Sequence, residues 1–350
     1  MPVRRRILVA AAVAVLLVAG VLAVRILRGD RTDLRAAVDV VPRSTLRLSF
    51  TDWAGVRDAL GVHGTGAAAV DRLAKRGYDS DLTGVSSIDE SVAALQKYFG
   101  FSPLTIDWEA YAQSRAGSAM VVRVPGDLDR VRDHLEDLGF TKPAKNDGVW
   151  AGGVDLVAGI DPTITPELQY VAVLEDQHLV VSSDTADFAA TAARAAAGKG
   201  PTLGDVGSVR DLAGKTGEPA AATLWARDFV CDDLAMSQAD PDTQQQAETA
   251  IARAGKITPM TGMAMALSAH RAFSVVQLFE SAGQAKENLR ARAALAAGEA
   301  FGRGGSFGDT LRLVSSRTHG DAVVLRWTPT EKTGYPLSGL STGPVVFASC

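Results

Sequence analysis

"LQYVAVLEDQHLVVSSDTADFAATAARAAAG", residues 168–198, decides how this chain folds. Two Val- and Leu-rich runs flank a polar turn, the mark of an antiparallel hairpin, and an alanine-rich helix follows at once. The same strand, cap and helix order appears upstream. "STLRLSF" (44–50) alternates apolar and polar residues, Thr51 or Asp52 can cap "DWAGVRDALG", and Gly61 can stop it. In "SAMVVRVPGDLDRVRDHLEDLGF" (118–140) a strand leads to a helix with Leu128, Val131, Leu135 and Leu138 on one face.

Gly and Pro cluster where this periodicity lapses, near Gly198 to Gly207, and the spacing places a soft boundary there. The order then resumes. "AAATLWARDF" reads as a strand, and "ADPDTQQQAETAIARAG" as a helix capped by Asp240 with Pro241 at its first position. "GMAMALSAHRAFSVVQLFE" and "TLRLVSSRTHGDAVVLRW" read as hairpins around a long helix opened by a Ser281 to Gln284 capping box, and "PVVFA" as a short final strand. This pattern implies α+β: antiparallel sheets with hairpins, covered by helices on one face, in two similar halves over residues 44–200 and 201–350.

The N-terminus carries a different message. Three arginines precede an unbroken apolar run from Ile7 to Val24, long enough for a bilayer core and longer than the apolar region of a cleaved leader. The expectation is a cytoplasmic tail at 1–6, a transmembrane signal anchor at 7–27 and a charged stalk at 28–43. Arginines on both sides of the run make a plain charge count ambiguous, but long C-terminal domains cross regardless of charge, which favours an extracytoplasmic body. Cleavage after Val21-Leu22-Ala23 would instead release a secreted protein, and "RRRIL" partly resembles a twin-arginine export signal.

The net charge is −4, and removing the first 28 residues with their five arginines gives −4 − 5 = −9. An acidic body without a basic stripe argues against nucleic-acid binding. The two cysteines, Cys231 and Cys350, would pair as a disulfide in an oxidising compartment.

Few stretches resemble chemistry. "DSDLTGVSSIDE" (79–90) follows the spacing of a calcium-binding EF-hand loop, with Asp79, Asp81, Thr83, Ser87 and Glu90 as ligands and Gly84 at the sharp turn. The same atoms support a metal-free alternative, because Ser87 and Glu90 also form a capping box. "GLSTG" (339–343) matches a nucleophile elbow with Ser341 at its centre, yet no histidine follows it, and the upstream pair His319 and Asp321 is the available base. "GTGAAA" (64–69) and "GRGG" (302–305) lack the strand or Lys-Ser/Thr contexts of phosphate loops, and the five histidines have no ligand spacing. Acids near Cys231 read as loop charges and caps, and the five tryptophans as core. No cofactor is implied.

"VVPRSTLRLSFTDWAGVRDALG", "DWEAYAQS", "VWAGG", "TPELQYVAVLEDQHLVVSSD" and "CDDLAMSQAD" together resemble membrane-anchored or secreted envelope proteins of high-GC Gram-positive bacteria. The resemblance implies an envelope location and carries no activity, substrate or site. Sequence reading therefore favours a noncatalytic extracytoplasmic protein that binds a partner protein or an apolar ligand. A serine hydrolase using Ser341 and a calcium-binding module are the alternatives.

Overall fold

The computed structural model describes residues 32–331 and 334–350. The anchor expected at 7–27 lies outside them, and among the described residues no helix is long and apolar enough to cross a membrane. The fold is α+β. Its strands are β1 (Arg47–Thr51), β2 (Glu109–Ser114), β3 (Gly117–Arg123), β4 (Val149–Ala151), β5 (Tyr170–Leu174), β6 (Leu179–Ser183), β7 (Ala221–Ala226), β8 (Gly262–Leu267), β9 (Phe273–Leu278), β10 (Leu311–His319) and β11 (Ala322–Pro329). All eleven join one antiparallel sheet in the order β10-β11-β9-β8-β7-β1-β2-β3-β6-β5-β4.

The hairpins form where the sequence places them. Helix signals hold as well: Asp52 Oδ1 accepts the Gly55 amide at 2.9 Å, and Asp240 Oδ1 that of Thr243 at 3.0 Å. The Ser281 box is half realised. Ser281 Oγ accepts the Gln284 amide, but Gln284 reaches back to the amide of Glu280, one residue too far.

The expectation of sheets covered on one face is corrected: there is a single sheet, and helices pack on both sides of its central strands. In β8 Met263, Met265 and Leu267 enter one core, while Ala264 and Ala266 enter the other. Every residue of β7 and β8 is buried, so neither side faces water there and the strands lose the one-sided alternation of a solvated sheet. The thicker core holds Trp53, Trp150, Trp225 and Trp327. The thinner one sets Ala192, Ala193 and Ala196 of the Ala186–Ala196 helix against a sheet face bearing Ala119 and Ala172. Alanine brings the helix close to the sheet at these positions, while Phe188 of the same helix fills the space beside them.

Two further expectations change. Residues 33–41, assigned to a stalk, form the Asp33–Val38 helix and its exit, and Leu34, Ala37, Val38 and Val41 are buried in the thinner core. Their apolar spacing, embedded among charges, is a helix face rather than a tether. The final "PVVFA" is a turn of 3-10 helix at Val346–Ala348, whose three side chains are buried.

Candidate functional site

The 79–90 segment is a clamp built from several partners. Asp79 is an exposed residue of the Ala67–Ser80 helix, whereas Asp81 is buried in left-handed backbone at φ 60°. Asp81 Oδ2 accepts the amides of Leu337 at 2.6 Å and Ser338 at 3.2 Å, and Oδ1 accepts the Ser338 hydroxyl. Burial raises the Asp81 carboxyl pKa, and the bonds from Ser338 and Leu337 oppose that rise. Thr83 packs under the backbone of Gly77, so close that a Cβ there would lie 2.5 Å from its methyl. Ser87 turns to Glu109, and Glu90 is exposed.

Asp79, Asp81, Thr83, Ser87 and Glu90 thus have separate surroundings. Among the described residues no group of three or more His, Cys, Asp or Glu is placed to hold a metal. The capping-box alternative is also displaced, since the next helix, Val92–Tyr98, starts beyond Glu90 with Ser91 at its cap position. The reason is Glu109. This fully buried carboxylate accepts the Ser87 amide and hydroxyl, each at 2.7 Å, the Ser86 hydroxyl at 2.6 Å and Trp53 Nε1 at 3.0 Å. Four donors saturate it, burial pushes its pKa up, and Ser87 is consumed.

Ser341 is buried at the end of the short Pro336–Leu340 helix, where its Oγ lies 3.3 Å from the Ser338 carbonyl. Its own carbonyl accepts Arg47 Nη2 at 3.0 Å. His319 sits at the hairpin tip of β10, whose other end, Leu311, borders Gly339 and Leu340. Eight residue steps of strand separate those ends, roughly 26 Å, so the structure does not bring Ser341 and His319 together. The acids near Cys231 are also dispersed: Asp233 accepts Trp225 Nε1 at 2.6 Å, and Asp232 lies 3.6 Å from Arg115.

Cys231 and Cys350 form the expected disulfide, with Cα atoms 5.7 Å apart. Arg292 reinforces it. This buried guanidinium donates to the carbonyls of Thr258 at 2.7 Å, Phe347 at 3.0 Å and Ser349, and Gln277 Nε2 adds a bond to Phe347 at 2.6 Å.

Between these clamps lies a half-open pocket of about 410 Å³. Phe307, Leu311, Pro329, Pro336 and Leu340 form its apolar walls, with Arg303 and Tyr335 beside them. The Pro336–Leu340 helix is held at both ends by charge. Asp81 meets its first amides, and Arg303 meets its last turn through the carbonyls of Gly339 at 2.6 Å, Thr342, and Pro344 at 3.3 Å. A carboxylate at the start and a guanidinium at the end both complement the helix dipole. Sequence reading singled out Asp81 as a metal ligand and Arg303 only within a glycine loop. Nothing local could have assigned these roles, because Asp81 meets residues 256 and 257 positions away.

Neither a protein-family model nor a curated protein sequence matches the chain. Among solved structures, crystal form I of TP0453 is similar with a TM-score of 0.42 and 9% identity, over 87% of this chain and 96% of that one.

Proposed function

We propose that this is a noncatalytic extracytoplasmic binding protein, tethered through the apolar run at Ile7–Val24, that holds a small apolar ligand beside the Pro336–Leu340 helix. The observation that carries the reading is the pocket itself. Its volume of about 410 Å³ falls in the range of small-ligand sites, and of its apolar walls the Pro336–Leu340 helix is fixed by Asp81 and Arg303, with Asp309 and Glu331 also in the lining. The Cys231–Cys350 disulfide supports an oxidising compartment, and the resemblance to envelope proteins supports the same location. The reading also takes the chain as two similar halves, supported by strand order: β7-β8-β9-β11-β10 runs outward from the centre as β1-β2-β3-β6-β5 does.

The test is titration of residues 32–350 with a fluorescent fatty acid, alongside Leu340→Trp, which would fill the pocket. Saturable one-to-one binding, lost in the variant while its melting temperature is kept, supports the reading. Absence of saturable binding, or binding indifferent to Leu340→Trp, overturns it.

A further inference from the structure

The two edges of the sheet are finished differently. β4 has three residues, and its Ala151 exchanges backbone bonds with Thr141 at 2.9 and 3.1 Å, so that edge is short and partly covered. β10 has nine residues, and among the described residues only β11 pairs with its backbone. A long strand with one side unpaired is a template for another strand.

Its side chains carry a second message. The pairing of β10 with β11 is regular except between Leu313 and Ser315, where Val314 is the extra residue of a bulge. In an unbroken strand Arg312 and Arg317, five apart, would point to opposite faces. The bulge resets the alternation. Arg312 lies opposite Thr328, Ser315 opposite Arg326, and Arg317 opposite Val324, so all three arginines share the face on which Val324 and Ala322 lie. Arg312 and Arg317 are each diagonal neighbours of Arg326, roughly 7–8 Å away.

That face is bare. The Gly207–Thr216 helix packs over β7, β8 and β9 on this side and leaves Arg312, Ser315, Arg317 and Arg326 exposed. None of the three arginines makes an ion pair or side-chain hydrogen bond among the described residues. The only acid in the hairpin, Asp321, is 3.3 Å from Lys215. Two unpaired positive charges on the open edge strand, with a third beside them on β11, therefore mark this edge of a body that is otherwise acidic.

We infer that β10 receives an extended acidic segment of a partner protein, which adds as a further strand and sets alternate Asp or Glu side chains over Arg312, Arg317 and Arg326. Backbone pairing supplies affinity, and the arginine row selects for acid at every second position. A second copy of this chain is a poor occupant. Pairing β10 with its own twofold mate would continue the same face across the joint and set the two arginine rows side by side.

The experiment uses the full chain in nanodiscs of zwitterionic lipid. The probe is a nine-residue peptide alternating Glu with Val or Thr, and the control has the same composition with its acids grouped at one end. Expected are saturable binding of the alternating peptide, slowed amide exchange within 311–319, and a loss of affinity of roughly tenfold or more in the triple variant Arg312→Ser, Arg317→Ser, Arg326→Ser. Equal binding of the grouped peptide, unchanged exchange in β10, or binding only when anionic lipid replaces the peptide would overturn the inference. So would failure of the peptide to bind together with dimerisation of the triple variant, which would assign the arginines to blocking self-association. The variant's melting temperature is measured in parallel, and the exchange readout on the unmodified chain stands independently of its folding.

Discussion

Arg292 Nη1 lies 3.0 Å from the carbonyl oxygen of Phe347, and among the described residues the buried guanidinium is answered by carbonyls without a carboxylate. Burial pushes its pKa down to about 10, which still leaves it charged at neutral pH. Replacing it with Met removes three donated bonds and strands the buried Ser349 carbonyl, while the half-buried Thr258 carbonyl also loses its donor. Arg292→Met is expected to lower unfolding free energy by about 2–4 kcal/mol, read from urea denaturation.

The same tail is held by the disulfide, which spans 119 residues of sequence. Opening it through paired Cys231→Ser and Cys350→Ser changes is expected to cost about 2–5 kcal/mol. Because both restraints act on one segment, combining this pair with Arg292→Met should cost less than the sum. A double-mutant cycle measures the difference, and strict additivity would show that the two clamps work independently.

Asp81 acts at long range through the Pro336–Leu340 helix. Asp81→Ala is expected to lose about 1–2 kcal/mol, since the buried amide of Leu337 and the half-buried amide of Ser338 lose their acceptor. The same variant should weaken fatty-acid binding, because Pro336 and Leu340 line the pocket. A melting curve and the fluorescence titration separate the two effects.

Asp89 supplies a pH signature. Burial, then the nearby Glu109 and Glu90, raise its pKa from the ordinary 3.8 to about 6. Between those values the folded state binds more protons than the unfolded one, so stability falls as pH rises through about 4 to 6 and levels off above. Asp89→Asn is expected to stabilise the protein at pH 7 by on the order of 1 kcal/mol, after allowing for its partial exposure, and to change little at pH 4. Denaturation midpoints at the two pH values check the sign.

What could be read in the sequence was local. The Leu179–Ser183 strand, the Asp240–Pro241 helix start and the Cys231–Cys350 pair were legible because each depends on near neighbours or on redox chemistry. Contacts far apart in sequence were not. Asp81 and Ser87 read as parts of one loop, but buried partners at Leu337 and Glu109 divide them. The arginine face was hidden for a related reason: Arg312 and Arg317 coincide only through the Val314 bulge, which residue alternation cannot reveal. "PVVFA" has the β-branched character of a strand, but its burial beside Arg292 and Gln277 engages the Phe347 carbonyl with side chains.

The place of β1 has a consequence for the order of assembly. It pairs with β2 on one side and with β7 on the other, where Arg47 meets Trp225. As a growing chain is delivered from its N-terminus, β1 can zip to β2 early, yet its opposite side stays unsealed until the much later β7 arrives. Closing that seam is the slow, non-local step, and a chain stalled before it presents a naked strand to its neighbours. The earliest strand of the body thus waits longer for its second neighbour than any other strand does, which makes the interval between synthesis of β2 and β7 a long period of exposure to misassembly.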